Sequence, residues 1–145
     1  MSYVLENVTS NIELWFNKDP VRPELDADFK TEAGREVFGL KNESGEYKAF
    51  LCMARTDDVP TDTADLAAST SLTGEIAVPY SVWSYQRGAG REIINQALTL
   101  MRMSKSVKRV VTLSPLTDMA RSFHLRNNAF ELRVNDTTAN FEYLL

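Results

Sequence analysis

The sequence predicts an α+β fold, and three observations carry that expectation. Apolar residues recur at helical spacing in some segments and alternate in others, the two kinds of segment interleave, and an alternating stretch runs through a glycine loop into the clearest amphipathic helix of the chain. Val8 to Asn17 has Val8, Ile12, Trp15 and Phe16 at helical spacing, with Thr9 or Ser10 as a cap and Asp19-Pro20 as the stop. A second helix is predicted from Pro23 through Ala33, where Leu25, Phe29 and Ala33 recur every fourth residue before Gly34. Glu36 to Lys41 and Glu46 to Arg55 read as strands joined by the turn residues Asn42-Glu43-Ser44-Gly45. Asp57 to Ser71 is polar, with a small alanine-rich patch, and reads as a loop with at most one helical turn.

Thr73 to Tyr85 returns to alternation through Ile76, Val78, Tyr80 and Val82, interrupted by Pro79. Proline donates no ladder hydrogen bond, so the strand is expected to bulge there. Gln86-Arg87-Gly88-Ala89-Gly90 follows, then a helix with Ile93, Ile94, Ala97, Leu98 and Met101 on one face. A short strand over Lys108 to Leu113, a helix from Thr117 to Asn127, and strands over Phe130 to Val134 and Ala139 to Leu144 complete the order α-α-β-β-β-α-β-α-β-β.

With 145 residues, 43% of them hydrophobic, the chain is expected to form a single domain, residues 1–145, able to bury a core without covalent staples. Its one cysteine, Cys52, forms no internal disulfide, and with one histidine, His124, it cannot furnish the four ligands of a structural zinc site. No metal cofactor is expected. The longest apolar run, Ala49 to Ala54, is far shorter than a membrane span, and the start lacks a basic end and apolar stretch. The expected location is a reducing cytoplasm, away from membranes.

The net charge of −4 hides an asymmetry. Residues 1–72 carry 7 basic and 14 acidic groups, whereas residues 73–145 carry 9 and 6. Within 87–126, eight cations face only Glu92 and Asp118. Such a bias attracts a phosphorylated ligand, although a solvated helix face explains the same charges. Nucleic acid is disfavoured, because interleaved aromatics and long basic runs are missing.

A strand that stops at a loop with two glycines and feeds a helix suits an anion. Glycine lets the backbone approach, and the first helical N–H groups point outward with the positive end of the helix dipole behind them. No Gly-Lys-Ser/Thr follows, which excludes a Walker loop, and a tight turn alone accounts for the same glycines. In its context, Tyr85-Gln86-Arg87-Gly88-Ala89-Gly90 resembles the R/Q-x-x-G-x-G/A signature of the GNAT acyltransferase superfamily, with Tyr85 where Arg or Gln is usual. The resemblance implies a central mixed, mostly antiparallel sheet with helices on both faces. It also implies that the interrupted strand at Pro79 is the splayed one, and that acetyl-CoA or another acyl-CoA is the substrate. Tyr80, Ser81, Val82 and Trp83 would then hold the pantetheine, and Gln86, Arg87, Gly88, Ala89, Gly90 and Arg91 the pyrophosphate, with Thr117 as a further contact.

Ala120-Arg121-Ser122-Phe123-His124 is similar to the superfamily's A-x-x-x-Y pattern, which puts His124 where the family's tyrosine protonates the departing thiolate. An imidazole with its ordinary pKa of about 6.5 can do that work. A second resemblance is tighter. Val111-Thr112-Leu113-Ser114-Pro115 and Phe123-His124-Leu125-Arg126-Asn127-Asn128-Ala129 look like the T/S-L-S-P-I-P and F-H-L-x-N-G-A motifs of malonyl-CoA decarboxylase, in which the serine and histidine are catalytic. Carried over, these are Ser114 and His124, although Ser114 between a strand and a helix also reads as a cap. That family has a long insert and a large helical domain that this chain lacks.

Three functions follow from these resemblances. Transfer of an acyl group to an amine or basic peptide comes first, because a minimal domain is the usual transferase format. Decarboxylation of malonyl-CoA by Ser114 and His124 is the alternative, and a module that binds coenzyme A or a protein without turnover is the third. Glu75 is the one carboxylate on the interrupted strand available as a general base. The sequence also allows a homodimer.

Overall fold

The computed structural model describes residues 2–145. Strand β1 (Val4–Asn7), a 3-10 turn (Ile12–Leu14) and helix α1 (Ala27–Thr31) precede the hairpin β2 (Arg35–Lys41) and β3 (Tyr47–Thr56). Helix α2 (Thr63–Ser69), strand β4 (Ile76–Ser84), helix α3 (Ala89–Met103) and strands β5 (Arg109–Val111) and β6 (Ser114–Pro115) follow. Helix α4 (Asp118–Arg126) leads to β7 (Phe130–Val134) and β8 (Thr138–Tyr143).

One eight-stranded sheet results. β1 to β4 run antiparallel in sequence order, β4 and β5 are parallel, and β8 pairs antiparallel with β5, β6 and β7. β3 lies in the middle and alternates cleanly. Ala49, Leu51 and Met53 join the cluster under α3, while Phe50, Cys52 and Ala54 join the opposite cluster with Leu66 of α2. Helices therefore cover both faces, as expected for this class. Cys52 is fully buried, and desolvation pushes its thiol up to about 12.

The first predicted helix is absent from Val8 to Asn17. Trp15 is buried and its Nε1 donates to the Val8 carbonyl at 2.9 Å, whereas Ile12 and Phe16 stay exposed, so the helical spacing records one tight turn. Thr9 caps no helix; its hydroxyl accepts from the Val37 N–H and extends the β1–β2 pairing. Asn17 leaves the turn with a φ of 56°. The second predicted helix shrinks to Ala27–Thr31, because Asp26 caps it from the Phe29 N–H. The reverse holds for residues 57–71, where Asp62 caps the full helix α2. Two strands have no counterpart among the predicted elements: β1, and the two-residue β6, which lies just beyond the predicted strand over Lys108 to Leu113.

Pro79 behaves as expected. It opposes Met53 while Ser81 opposes Cys52, so Tyr80 is an extra, unopposed residue. Tyr80 and Trp83 both belong to the cluster on the α2 face.

Candidate functional site

β4 and β5 pair through only two residue pairs, Ile76 with Arg109 and Ala77 with Val110. One further hydrogen bond, from Leu113 N to the Pro79 carbonyl at 3.0 Å, closes the ladder. Past it the strands part into a cleft of about 560 Å³. Pro79 to Ser84 form one wall, Leu113 to Pro115 and α4 the other, and Pro20 and Val21 border the end nearest the parting.

Both expected catalytic residues line this cleft. His124 is buried on α4, its ring stacked on Phe141, and its Nδ1 lies 2.7 Å from the Tyr143 hydroxyl. Burial lowers its pKa from 6.5 to about 4, so the imidazole is neutral at neutral pH. With Nδ1 engaged, Nε2 is the nitrogen left for a ligand. Ser114 is buried and shares a 2.8 Å hydrogen bond with the Thr112 hydroxyl. No hydrogen bond joins Ser114 to His124 among the described residues. Thr117 also borders the cleft and caps α4, accepting from the Ala120 N–H at 3.1 Å.

The two loop glycines are needed for different reasons. Gly88, at the N-cap of α3, has a φ of 87°, a left-handed conformation that disfavours side chains. Gly90 borders the cleft, where a Cβ would come within 3.1 Å of the Phe123 ring. Gly88 supplies no side-chain cap to α3; the Ala89 N–H donates to the Gln86 carbonyl at 3.1 Å, and exposed Arg87 and Arg91 flank the start of the helix. Gln86, Arg87, Gly88, Ala89 and Arg91 sit at the rim of the loop and do not line the cleft. The basic run is dispersed: Arg109 pairs with Glu142 and Arg121 with Glu131, while Arg126 borders the cleft.

Tyr80, Ser81, Val82 and Trp83 all line the cleft, but their side chains have other duties. The Tyr80 ring is buried edge-on to Phe29, and the Trp83 ring packs on Phe50. The Ser81 hydroxyl donates to Asp19 at 2.7 Å. Arg22 donates to the carbonyls of Tyr80 (3.2 Å) and Leu113 (2.9 Å), one on each wall. Asp19 and Arg22 were legible only as charges around prolines. Glu75 is exposed and lies outside the cleft, so no carboxylate lines it among the described residues.

No protein-family model matches the sequence, and no curated protein matches it. Solved structures match along its whole length. Malonyl-CoA decarboxylase from Rhodopseudomonas palustris has a TM-score of 0.75 at 18% identity, covering 99% of this chain and 60% of that one. The GNAT-like decarboxylase GphF, solved with isobutyryl-CoA, has 0.74 at 12% identity, covering 98% and 97%. The N-acetyltransferase PseH of Campylobacter jejuni, in complex with acetyl coenzyme A, has 0.64 at 12% identity and 98% of both chains. The fold is that of the GNAT superfamily. The GNAT resemblance drawn from the glycine loop and the interrupted strand is thus met by the fold. This chain spans 60% of the Rhodopseudomonas decarboxylase and 37% of the Agrobacterium vitis one. No helix of the described residues is long and apolar enough to cross a membrane.

Proposed function

We propose that this chain is an acyl-CoA enzyme that decarboxylates a malonyl-type thioester. The observation carrying this reading is a buried, neutral His124 that shares with Ser114 a cleft lined by no carboxylate. Decarboxylation needs no general base. The bond between the carboxylate carbon and the α-carbon breaks, carbon dioxide leaves, and the electron pair passes into the thioester enolate. The enolate oxygen then needs a hydrogen-bond donor, and the α-carbon takes one proton from the Ser114 hydroxyl, which regains it from water, to give the acetyl thioester. A desolvated imidazole that stays neutral is suited to donating a hydrogen bond to such an oxygen. The Ser114 hydroxyl is the second proton-bearing group at hand.

In this reading residues 86–91 hold the pyrophosphate, the backbone of Val82 and Trp83 and the Thr117 hydroxyl meet the pantetheine, and no metal takes part. The Tyr80 carbonyl, already taken by Arg22, contributes less than the sequence suggested. GphF, a decarboxylase of nearly the same length, supports the view that one domain of this size suffices. A cytoplasmic location fits a coenzyme A thioester as substrate.

Acyl transfer to an amine or basic peptide is the second reading, favoured by the glycine N-cap of α3 flanked by two exposed arginines and by the full-length likeness to an N-acetyltransferase. It asks His124 to protonate a thiolate, and a group that titrates near 4 is poorly matched to that task at neutral pH. Incubation with malonyl-CoA, and separately with acetyl-CoA and mixed amines, distinguishes the readings. Acetyl-CoA formed from malonyl-CoA, and lost in His124→Ala with coenzyme A affinity retained, supports decarboxylation. Thiol release that depends on the amine supports transfer, and thermal stabilisation by coenzyme A without turnover supports a binding module. Absence of any coenzyme A binding ends the whole acyl-CoA reading.

A further inference from the structure

We infer that Asp19–Arg22 is the fixed end wall of the acyl pocket, and that Val21 limits the length of acyl chain the cleft accepts. The inference rests on the acyl-CoA reading of the same cleft. Pro20 and Val21 border the cleft between Asp19, bonded to Ser81, and Arg22, bonded to Tyr80 and Leu113 where β4 and β5 part, whereas the glycine loop follows the other end of β4. A thioester lying between loop and parting therefore points its acyl group at these two residues.

Surface loops ordinarily yield to a larger ligand, but this one is pinned at both ends. Asp19 is buried and its Oδ1 accepts from the Ser81 hydroxyl, the Val21 N–H and the Arg22 N–H, at 2.7, 2.8 and 2.9 Å. Its Oδ2 pairs with the buried Lys30 ammonium at 2.9 Å. At the other end the buried Arg22 guanidinium donates to Tyr80 on one wall and Leu113 on the other, in place of the backbone bonds the parted strands cannot make. Moving the segment would strand buried charges, which is far costlier than moving an ordinary loop. Pro20 and Pro23 restrict the backbone on either side of Val21. The Val21 side chain, half-buried, packs against the apolar cluster that holds Tyr80 and Trp83.

A rigid apolar wall discriminates by about tenfold or more for each methylene that no longer fits. The test measures the affinities of coenzyme A, acetyl-CoA, butyryl-CoA and octanoyl-CoA by calorimetry, for the wild type, Val21→Ala and Val21→Gly. The wild type is expected to bind octanoyl-CoA at least about tenfold more weakly than acetyl-CoA. Both variants should shift that ratio towards the longer chain, Val21→Gly the more, while coenzyme A itself binds unchanged. Equal wild-type affinities for acetyl-CoA and octanoyl-CoA, or a ratio unmoved in both variants, would overturn the inference. Val21→Ala removes little enough to keep the fold if Val21→Gly does not, and retained coenzyme A affinity reports an intact cleft. A wild type that fails to bind even coenzyme A defeats the acyl-CoA reading itself, a different result from a missing length preference.

Discussion

Replacing His124 with Gln should make the protein less sensitive to acid. The native imidazole titrates near 4 and the unfolded one near 6.5, so above 6.5 both states are neutral and the group is silent. As the pH falls below 6.5 the unfolded state takes up a proton that the folded state refuses, and stability drains away until the native group titrates too. The linkage relation gives a loss of about 2 kcal/mol between pH 7 and pH 5, rising to about 3 kcal/mol at pH 4. His124→Gln lacks this component, and any lost bond to Tyr143 adds an offset that does not vary with pH. Urea titrations at pH 7, 6, 5 and 4, followed by the fluorescence of buried Trp15 and Trp83, measure both proteins. Wild type and variant losing the same stability between pH 7 and pH 5 would show that His124 is not held neutral by burial. The assignment of His124 as a neutral hydrogen-bond donor to the enolate oxygen would fall as well.

Two further substitutions probe the backbone. A Cβ at Gly74 would collide with the Thr56 backbone, its carbonyl oxygen first, so Gly74→Ala should destabilise by about 3 kcal/mol in the same urea assay. Asn128, just past α4, holds a φ of 75°, and Asn128→Gly should raise stability by about 0.5–1 kcal/mol, seen as a higher melting temperature.

α3 was legible because it buries one face at helical spacing, and β2 and β3 because they bury both faces and so read as apolar runs bounded by turn residues, whereas β7 reads as a strand although all of its residues are exposed. The first helix failed on the same logic: Val8 and Trp15 are buried, Ile12 and Phe16 are not, and four positions cannot tell a turn from a helix. β6 is two residues long and exists only because β8 lies opposite, a tertiary fact without a local signal. At the site, position was more legible than chemical state. The motifs placed His124 and Ser114 in one cleft, but the charge on His124 depends on Phe141 and Tyr143, which arrive from the far end of the chain. Asp19, Arg22 and Lys30 were hidden for the opposite reason, since charged residues ordinarily signify solvent and here are buried.

The extra residue at Tyr80 works as a change of step. In an unbroken strand, positions 80 and 83 differ in parity and must project from opposite sides; here both project toward the α2 side. Deleting Tyr80 would restore regular alternation and leave Ser81, Val82 and Trp83 opposite Cys52, Leu51 and Phe50 on their present faces, removing only the Tyr80 ring and the carbonyl that holds Arg22. One inserted residue thus adds a buried ring and an anchoring carbonyl to the strand without shifting the register of its neighbours, so its loss would be felt at the Asp19–Arg22 segment rather than along the sheet.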